Sequence, residues 1–333
     1  MQFGLSQEQI LLQDNVNRFL DDNSALDRVR TYADGGADAD IWAGLAELGI
    51  PALLIPEAQG GIGLQPLDAA IVAECLGSHI APTPFLESAV MAPTALVASG
   101  GDHDELLAEI AAGTTRIGIA FGEAIKRRNN TGVTVKDGRM SGTSMYAFDA
   151  EANAYLVADQ HQHIYLVRAD DPGLRRSHLA TVDKTRRTVE LNYDNVTADL
   201  VSDEASVFTA TVDIGRMALA ADTLGAAQNM LDQAVEYAKQ REQFNRPIGS
   251  FQAVKHMCAE MAAQLEPCRA MVWYAAHAFN DIPEESTMMA SHTKAHLSEV
   301  AQFVTRTATE VHGGMGFTDL VGLHYWCKRC GFN

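Results

Sequence analysis

Apolar residues along this chain recur at two different periods, and the switch between them divides the chain into three parts. In the first part the spacing is helical. Ile10, Leu11, Val16, Phe19 and Leu20 form a stripe behind Ser6, and Ser6 with Gln9 has the pattern of a capping box. Ile41–Leu48 and Leu67–Leu76 continue the helical spacing. Between them, Leu53–Leu64 is punctuated by Pro56, Gly60, Gly61 and Gly63 and reads as a loop. Leu106–Ala112 closes this part. From Thr114 the segments are short and rich in β-formers: Arg116–Phe121, Gly132–Lys136, Ala154–Val157, His163–Val167 and Thr188–Leu191, separated by turns such as Lys136-Asp137-Gly138. From Phe208 the helical period returns and persists through Phe208–Gln240, Phe251–Asn280 and Glu284–His312, broken at Arg246–Gly249 and Asp281–Pro283.

The pattern predicts an N-terminal α-helical domain over 1–113, a small antiparallel β-domain over 114–205 and a C-terminal helical bundle over 206–333. Apolar residues extend around the long C-terminal helices further than one buried stripe requires. A surplus of this kind marks a subunit interface.

The 333 residues are enough for two or three units with their own cores, and 47% hydrophobic with 20% charged residues is globular composition. A net charge of −18 argues against nucleic acid or an anionic membrane as the main partner, while leaving room for a local basic patch. No apolar run reaches the ~18 residues of a membrane span, and Met1–Gln9 carries no leader pattern. Cys75, Cys258, Cys268, Cys327 and Cys330 form no disulfide framework, so a reducing cytoplasm is expected. Cys327 and Cys330 form a lone CxxC without a second pair, which reads as two thiols one helical turn apart rather than a metal site.

Three segments carry a resemblance. Leu48-Gly49 through Pro56-Glu57-Ala58-Gln59-Gly60-Gly61, the run Arg241-Glu242-Gln243-Phe244-Asn245-Arg246-Pro247-Ile248-Gly249, and Gly313-Gly314-Met315-Gly316-Phe317 are together similar to the signatures of acyl-CoA dehydrogenases. Helix, sheet, helix in this order is that family's layout. The resemblance implies an FAD shared across a subunit interface, an acyl-CoA thioester as substrate and an electron-transfer flavoprotein as acceptor. It places Arg241, Gln243, Phe244, Gln252, Glu310, Gly313, Gly314 and Gly316 on the nucleotide portion of a neighbour's FAD. An arginine fork suits phosphate oxygens, and glycines admit close approach of backbone. Glu310 stands where the family usually has glutamine. By spacing alone, Arg241–Phe244 reads equally as a helix end with solvated charge, and the glycines as a C-cap and turn.

Other features of the family are missing. Its Thr-Glu-Pro turn corresponds to Gly122-Glu123-Ala124, and its Trp-x-Thr element beside the flavin ring to Tyr146-Ala147-Phe148. The Tyr-Glu-Gly-Thr segment that supplies the usual catalytic base does not follow the glycine turn. The alternative base position, on the helix that opens the bundle, is Gly215. Among nearby carboxylates, Asp213 lies two residues before it, turned by about 200°. Asp222 lies in an apolar segment, where a raised pKa is expected, and Asp319 follows the glycine turn. No catalytic residue is assigned; Asp222 and Asp319 are weak candidates.

Groups donated to a neighbour's FAD are thus kept, and groups for the chain's own ring site and base are lost. This pattern is similar to the shorter, non-catalytic β-type subunit of α2β2 bacterial acyl-CoA dehydrogenases that act on steroid-CoA thioesters. Such a subunit pairs with a paralogue that carries the base. Two other readings stay open: a self-sufficient homo-oligomeric dehydrogenase with a displaced base, and a flavin-free scaffold.

Overall fold

The computed structural model describes residues 4–126 and 128–333. Met1–Phe3, which begin the segment read above as lacking a leader, and Arg127 lie outside the described residues. The first helices are α1 (Gln7–Asn23), α2 (Leu26–Ala33), α3 (Ala39–Glu47), α4 (Pro66–Ser78), a π-helical segment (Phe85–Met91), α5 (Ala92–Ala98) and α6 (Asp104–Ala111). The expected capping box opens α1: the Gln9 amide donates to Ser6 Oγ at 3.1 Å, and the Ser6 amide donates to Gln9 Oε1 at 3.0 Å. This satisfies backbone donors that the first turn leaves without helical partners.

A sheet follows. Its strands are β1 (Ile117–Ala120), β2 (Gly132–Lys136), β3 (Arg139–Phe148), β4 (Ala154–Ala158), β5 (Ile164–Arg168), β6 (Leu174–Leu179), β7 (Thr188–Thr197) and β8 (Asp199–Ser202), with the short helix α7 (Gly122–Ile125) after β1. The order is β6-β7-β3-β1-β4-β5-β8, with β2 paired to β3. The sheet is not wholly antiparallel as expected: β1 and β4 run parallel, from Ile117↔Ala154 to Ala120↔Val157. The β2–β3 hairpin between them is the crossover that a parallel pair needs. Both strands are buried throughout, as central strands covered on two faces should be. Ile117, Ile119 and Leu156 face the helices; Ala120, Tyr155 and Val157 face a second core with Met140, Val189 and Leu191.

The C-terminal helices are α8 (Ala205–Gln240), α9 (Gln252–Asp281), α10 (Pro283–His312) and α11 (Leu323–Phe332), with a tiny hairpin, β9 (Glu242–Gln243) and β10 (Arg246–Pro247), between α8 and α9. These helices share one core with the first group, in which Leu20, Leu45 and Leu76 pack with Leu224, Met261 and Leu297. The helices α4 and α8 touch backbone to backbone. A Cβ on Gly225 would stand 1.9 Å from the Glu74 carbonyl oxygen, and one on Gly77 would stand 1.9 Å from that of Asp222. Arg269 of α9 adds an ion pair to Glu74. On the outer side, Ala259, Ala262, Ala263 and Ala270 of α9 and Met288 and Ala295 of α10 are exposed. Among the described residues no helix is long and apolar enough to cross a membrane.

Candidate functional site

Two sequence-predicted segments meet at one end of the bundle. The first is the hairpin. Gln243 pairs with Arg246, and the turn residues Phe244 and Asn245 have φ of 56° and 58°. A two-residue turn with both central residues left-handed matches the twist of its strands, but it ordinarily uses Asn-Gly because a side chain is strained there. Here an aromatic residue accepts that strain and stands 87% exposed. The turn is braced by Arg246, whose guanidinium lies 4.0 Å over the Phe251 ring, and by edge-on contact between Phe244 and Phe251. Arg241 is fixed through its backbone: its amide donates to the Tyr237 carbonyl at 2.8 Å and its carbonyl accepts from Ile248 at 2.7 Å. Its side chain is exposed and makes no ion pair among the described residues. Gln243 and Gln252 are exposed beside it.

The second segment is the glycine turn, a 3-10 turn over Gly313–Phe317. It is linked to the hairpin through His312, which stacks on Tyr237 with centroids 4.7 Å apart, and Tyr237 is the residue that holds the Arg241 amide. The His312 ring is oriented by its Nδ1, 2.7 Å from the Ala308 carbonyl oxygen. Two of the three glycines have a physical basis within the chain. Gly313 has φ 58°, which disfavours a side chain. Gly316 is packed with the Thr309 carbonyl 2.8 Å from a Cβ position. Gly314 has neither a positive φ nor any atom within 4 Å of a Cβ position, so nothing within this chain calls for glycine there. Glu310 is exposed, and Phe317 is 82% exposed. Beside them a cleft of about 450 Å³ is lined by Arg306, Glu310, Phe317 and the free thiols of Cys327 and Cys330, which lie one turn apart on α11 as expected.

The residues that correspond to a flavin-ring pocket are engaged internally. Glu123, which stands at the place of the family's Thr-Glu-Pro glutamate, is a buried hub. Its carboxylate accepts from the Arg128 guanidinium at 2.8 Å, the Arg128 amide at 3.0 Å, the Thr131 hydroxyl and the Met145 amide at 3.4 Å. Burial opposes its charge, but these donors hold its pKa below the usual value. Tyr146 sits at a bulge in β3 with φ 57°, and the Arg128 guanidinium lies 5.0 Å over its ring. Phe148 meets the Phe332 ring edge-on, with centroids 6.1 Å apart.

None of the three carboxylates singled out in the sequence, Asp213, Asp222 and Asp319, is disposed as a free base. At Gly215 itself, Met91 Sδ lies 2.9 Å from where a Cβ would stand. Asp213 accepts from Arg216 at 2.7 Å and from the Thr287 hydroxyl at 2.6 Å. Asp319 is exposed and pairs with Arg30 at 3.3 Å. The expected raised pKa of Asp222 is reversed. Burial alone would raise it, but Arg329 and Arg186 lower it to about 2. Arg329 grips it bidentately at 3.0 and 2.7 Å, Arg186 lies at 3.2 Å, and Asn333 Nδ2 donates at 2.6 Å. The sequence reading missed Arg186, Arg329, Phe332 and Asn333. The one available signal was Asp222 in an apolar stretch, since a carboxylate buried on a helix needs a cation.

Family models for the N-terminal and C-terminal domains of acyl-CoA dehydrogenases match residues 6–114 and 205–330, and the chain belongs to the acyl-CoA dehydrogenase family. Such enzymes are oxidoreductases acting on CH–CH bonds and typically bind FAD. The acyl-CoA dehydrogenases IpdE2 of Mycolicibacterium smegmatis and Mycobacterium tuberculosis are 30% and 32% identical to it, over 98% and 91% of this chain and 93% and 83% of theirs. Among solved structures, a variant of the Tcur3481–Tcur3483 steroid ACAD is similar at 29% identity and TM-score 0.87, covering 97% of this chain and 92% of that one. The ChsE4–ChsE5 complex of Mycobacterium tuberculosis is similar at 26% identity and TM-score 0.88, covering 100% of this chain and 94% of that one.

Proposed function

We propose that this chain is the non-catalytic subunit of a heteromeric, FAD-dependent acyl-CoA dehydrogenase, and that it contributes nucleotide contacts to a flavin held mainly by a paralogous partner. The observation that carries this reading is an asymmetry. The outward-facing half of the site is preformed and unpartnered: the strained hairpin with Phe244, the Arg241 guanidinium and the open backbone at Gly314. The inward-facing half is closed by contacts within the chain. The exposed residues fit the diphosphate and adenosine end of FAD, with the Arg241 fork for phosphate oxygens and Gly313–Gly314 for close approach of backbone. Phe148 against Phe332, and Glu123 fully occupied by its own loop, do not fit the ring end.

When bound, FAD supplies the hydride acceptor for oxidation of a CH–CH bond. This chain's residues would hold and orient its nucleotide end. The α-proton would be taken by a carboxylate of the partner, and electrons would pass to an electron-transfer flavoprotein, as the family resemblance implies. The steroid-type complexes among the structural neighbours favour a bulky, fused-ring acyl-CoA as substrate. A self-sufficient dehydrogenase is disfavoured because Asp222 is committed to two arginines. The test is Arg241→Ala in the co-expressed pair. Loss of flavin from the partner, with the pair still assembled, supports the reading. Unchanged flavin content sinks it in favour of a scaffold.

A further inference from the structure

Two positions, Phe148 in the ring-pocket element and the base candidate Asp222, meet the end of α11, while Gly215 between them is closed by another element. Phe148, in the ring-pocket element and half-buried, meets the Phe332 ring edge-on. Gly215, the alternative base position, is covered by Met91. Asp222, about two turns further on and therefore on the same helical face, is covered by Arg329, Arg186 and Asn333.

Little space is left between these elements. A cavity of about 10 Å³ remains beside Phe85, Arg186, Ala218, Asp222 and Arg329, and one of about 20 Å³ beside Glu87, Arg116, Phe148 and Arg186. Neither could take more than about one water molecule. Arg329 is itself only 2% exposed. Beyond Asp222 it donates to the Thr185 hydroxyl at 2.9 Å and the Ala81 carbonyl at 3.3 Å, so a single guanidinium joins α11, α8, the loop before β7 and the segment after α4. Asn333 adds a second donor bond, to Thr223 at 3.1 Å. These are specific contacts of a seated segment.

We infer that the last turn of α11 is an internal plug: Arg329, Phe332 and Asn333 occupy the cleft between sheet and bundle in place of a ligand, and confine this chain to donating its hairpin and glycine turn to a site on another chain. The inference rests on the reading proposed above and adds to it the device that closes the chain's own cleft. The plug is held by charge at one end and by an aromatic contact at the other, so removing either end should loosen it without touching the exposed hairpin.

The test uses the purified chain with Phe332→Ala and, as a second variant that removes the Arg329–Asp222 pair together and leaves Arg186, Asp222→Leu with Arg329→Met. Amide hydrogen exchange of residues 327–333 and 146–148 is measured for each, followed by titration with FAD read by quenching of flavin fluorescence. The plug predicts slow exchange and no saturable quenching in the unaltered chain. In at least one variant it predicts roughly tenfold faster exchange in these segments, with saturable quenching. Variants that exchange faster but still take no FAD would show that the altered ring-pocket residues alone exclude it, and would overturn the proposal. Unchanged exchange, or saturable FAD binding by the unaltered chain, would overturn it as well. A failure of the donor reading shows elsewhere, as a co-expressed pair that holds no flavin, so the two failures are separable.

Discussion

Arg329 and Asp222, 107 residues apart in sequence, form a two-pronged ion pair in the interior, with Nε–Oδ1 at 3.0 Å and Nη2–Oδ2 at 2.7 Å. The pair fastens the short last helix to the longest one. Both groups are almost wholly buried; Asp222 is the only anion that Arg329 bonds among the described residues, while Asp222 is also offset by Arg186 at 3.2 Å.

Removing one member should therefore cost far more than removing both. Asp222→Ala takes the carboxylate from two buried guanidinia, leaving Arg329 bonded only to Thr185 and Ala81 and taking from Arg186 its 3.2 Å partner, and should destabilise the chain by ~3–5 kcal/mol. Asp222→Leu with Arg329→Met should cost less than Asp222→Ala alone. Urea denaturation of the three proteins checks this. A double variant as unstable as the single one would show that the arginine's neutral contacts, rather than charge pairing, carry the stability.

Glu87 makes the stability depend on pH. It is buried in the π-helical segment, and one carboxyl oxygen has no hydrogen-bond partner among the described residues. Burial raises its pKa and so does Asp149, while Arg186 and Arg116 oppose them; the result is about 7. The folded state therefore holds the proton more tightly than the unfolded state. The contribution of Glu87 is most favourable below the unfolded value of 4.5, declines as pH rises to about 7 and is level above that. The decline is on the order of 3 kcal/mol at most. Glu87→Gln should remove it and be more stable than the unaltered protein at pH 8. Equal stability of the two at pH 8 would contradict the assignment.

Phe244 is strained and exposed, and its edge-on contact with Phe251 offsets that strain only in part. Phe244→Ala should change the stability of the chain alone by no more than ~0.5 kcal/mol. In the co-expressed pair the same variant should lower flavin content. Thermal denaturation of the chain and flavin absorbance of the pair separate the two effects. A variant that destabilises the isolated chain by several kcal/mol would make Phe244 a structural residue.

The crossing of α4 and α8 has no room for a methyl group. Gly225→Ala would bring a Cβ against the Glu74 carbonyl, and backbone cannot turn aside as a side-chain tip can. A loss of ~1–3 kcal/mol is expected from overpacking of this kind, measurable as a lower urea midpoint. No change would mean that the helices separate freely at this point.

The helices were legible because their apolar spacing is regular and because Ser6 and Gln9 mark a start that the structure reproduces. The hairpin and glycine turn were legible as motifs. What local pattern could not show was pairing over distance. β3 was missed as a strand because Ser141, Gly142 and Ser144 interrupt its apolar alternation and Tyr146 stands at a bulge. β6, Leu-Arg-Arg-Ser-His-Leu, lies at an edge with four exposed residues, so burial leaves no trace in its sequence. Asp222 was noticed for its apolar surroundings, but its partners come from α11 and from the loop before β7, and no local period links them. Burial alone suggested a raised pKa, and two unseen arginines reversed the sign.

The most direct measurement is the visible absorption spectrum of this chain purified alone and co-purified with an acyl-CoA dehydrogenase paralogue. The account predicts flavin bands, near roughly 450 nm as a property of the cofactor itself, only in the co-purified pair. Flavin bands in the chain alone would contradict it.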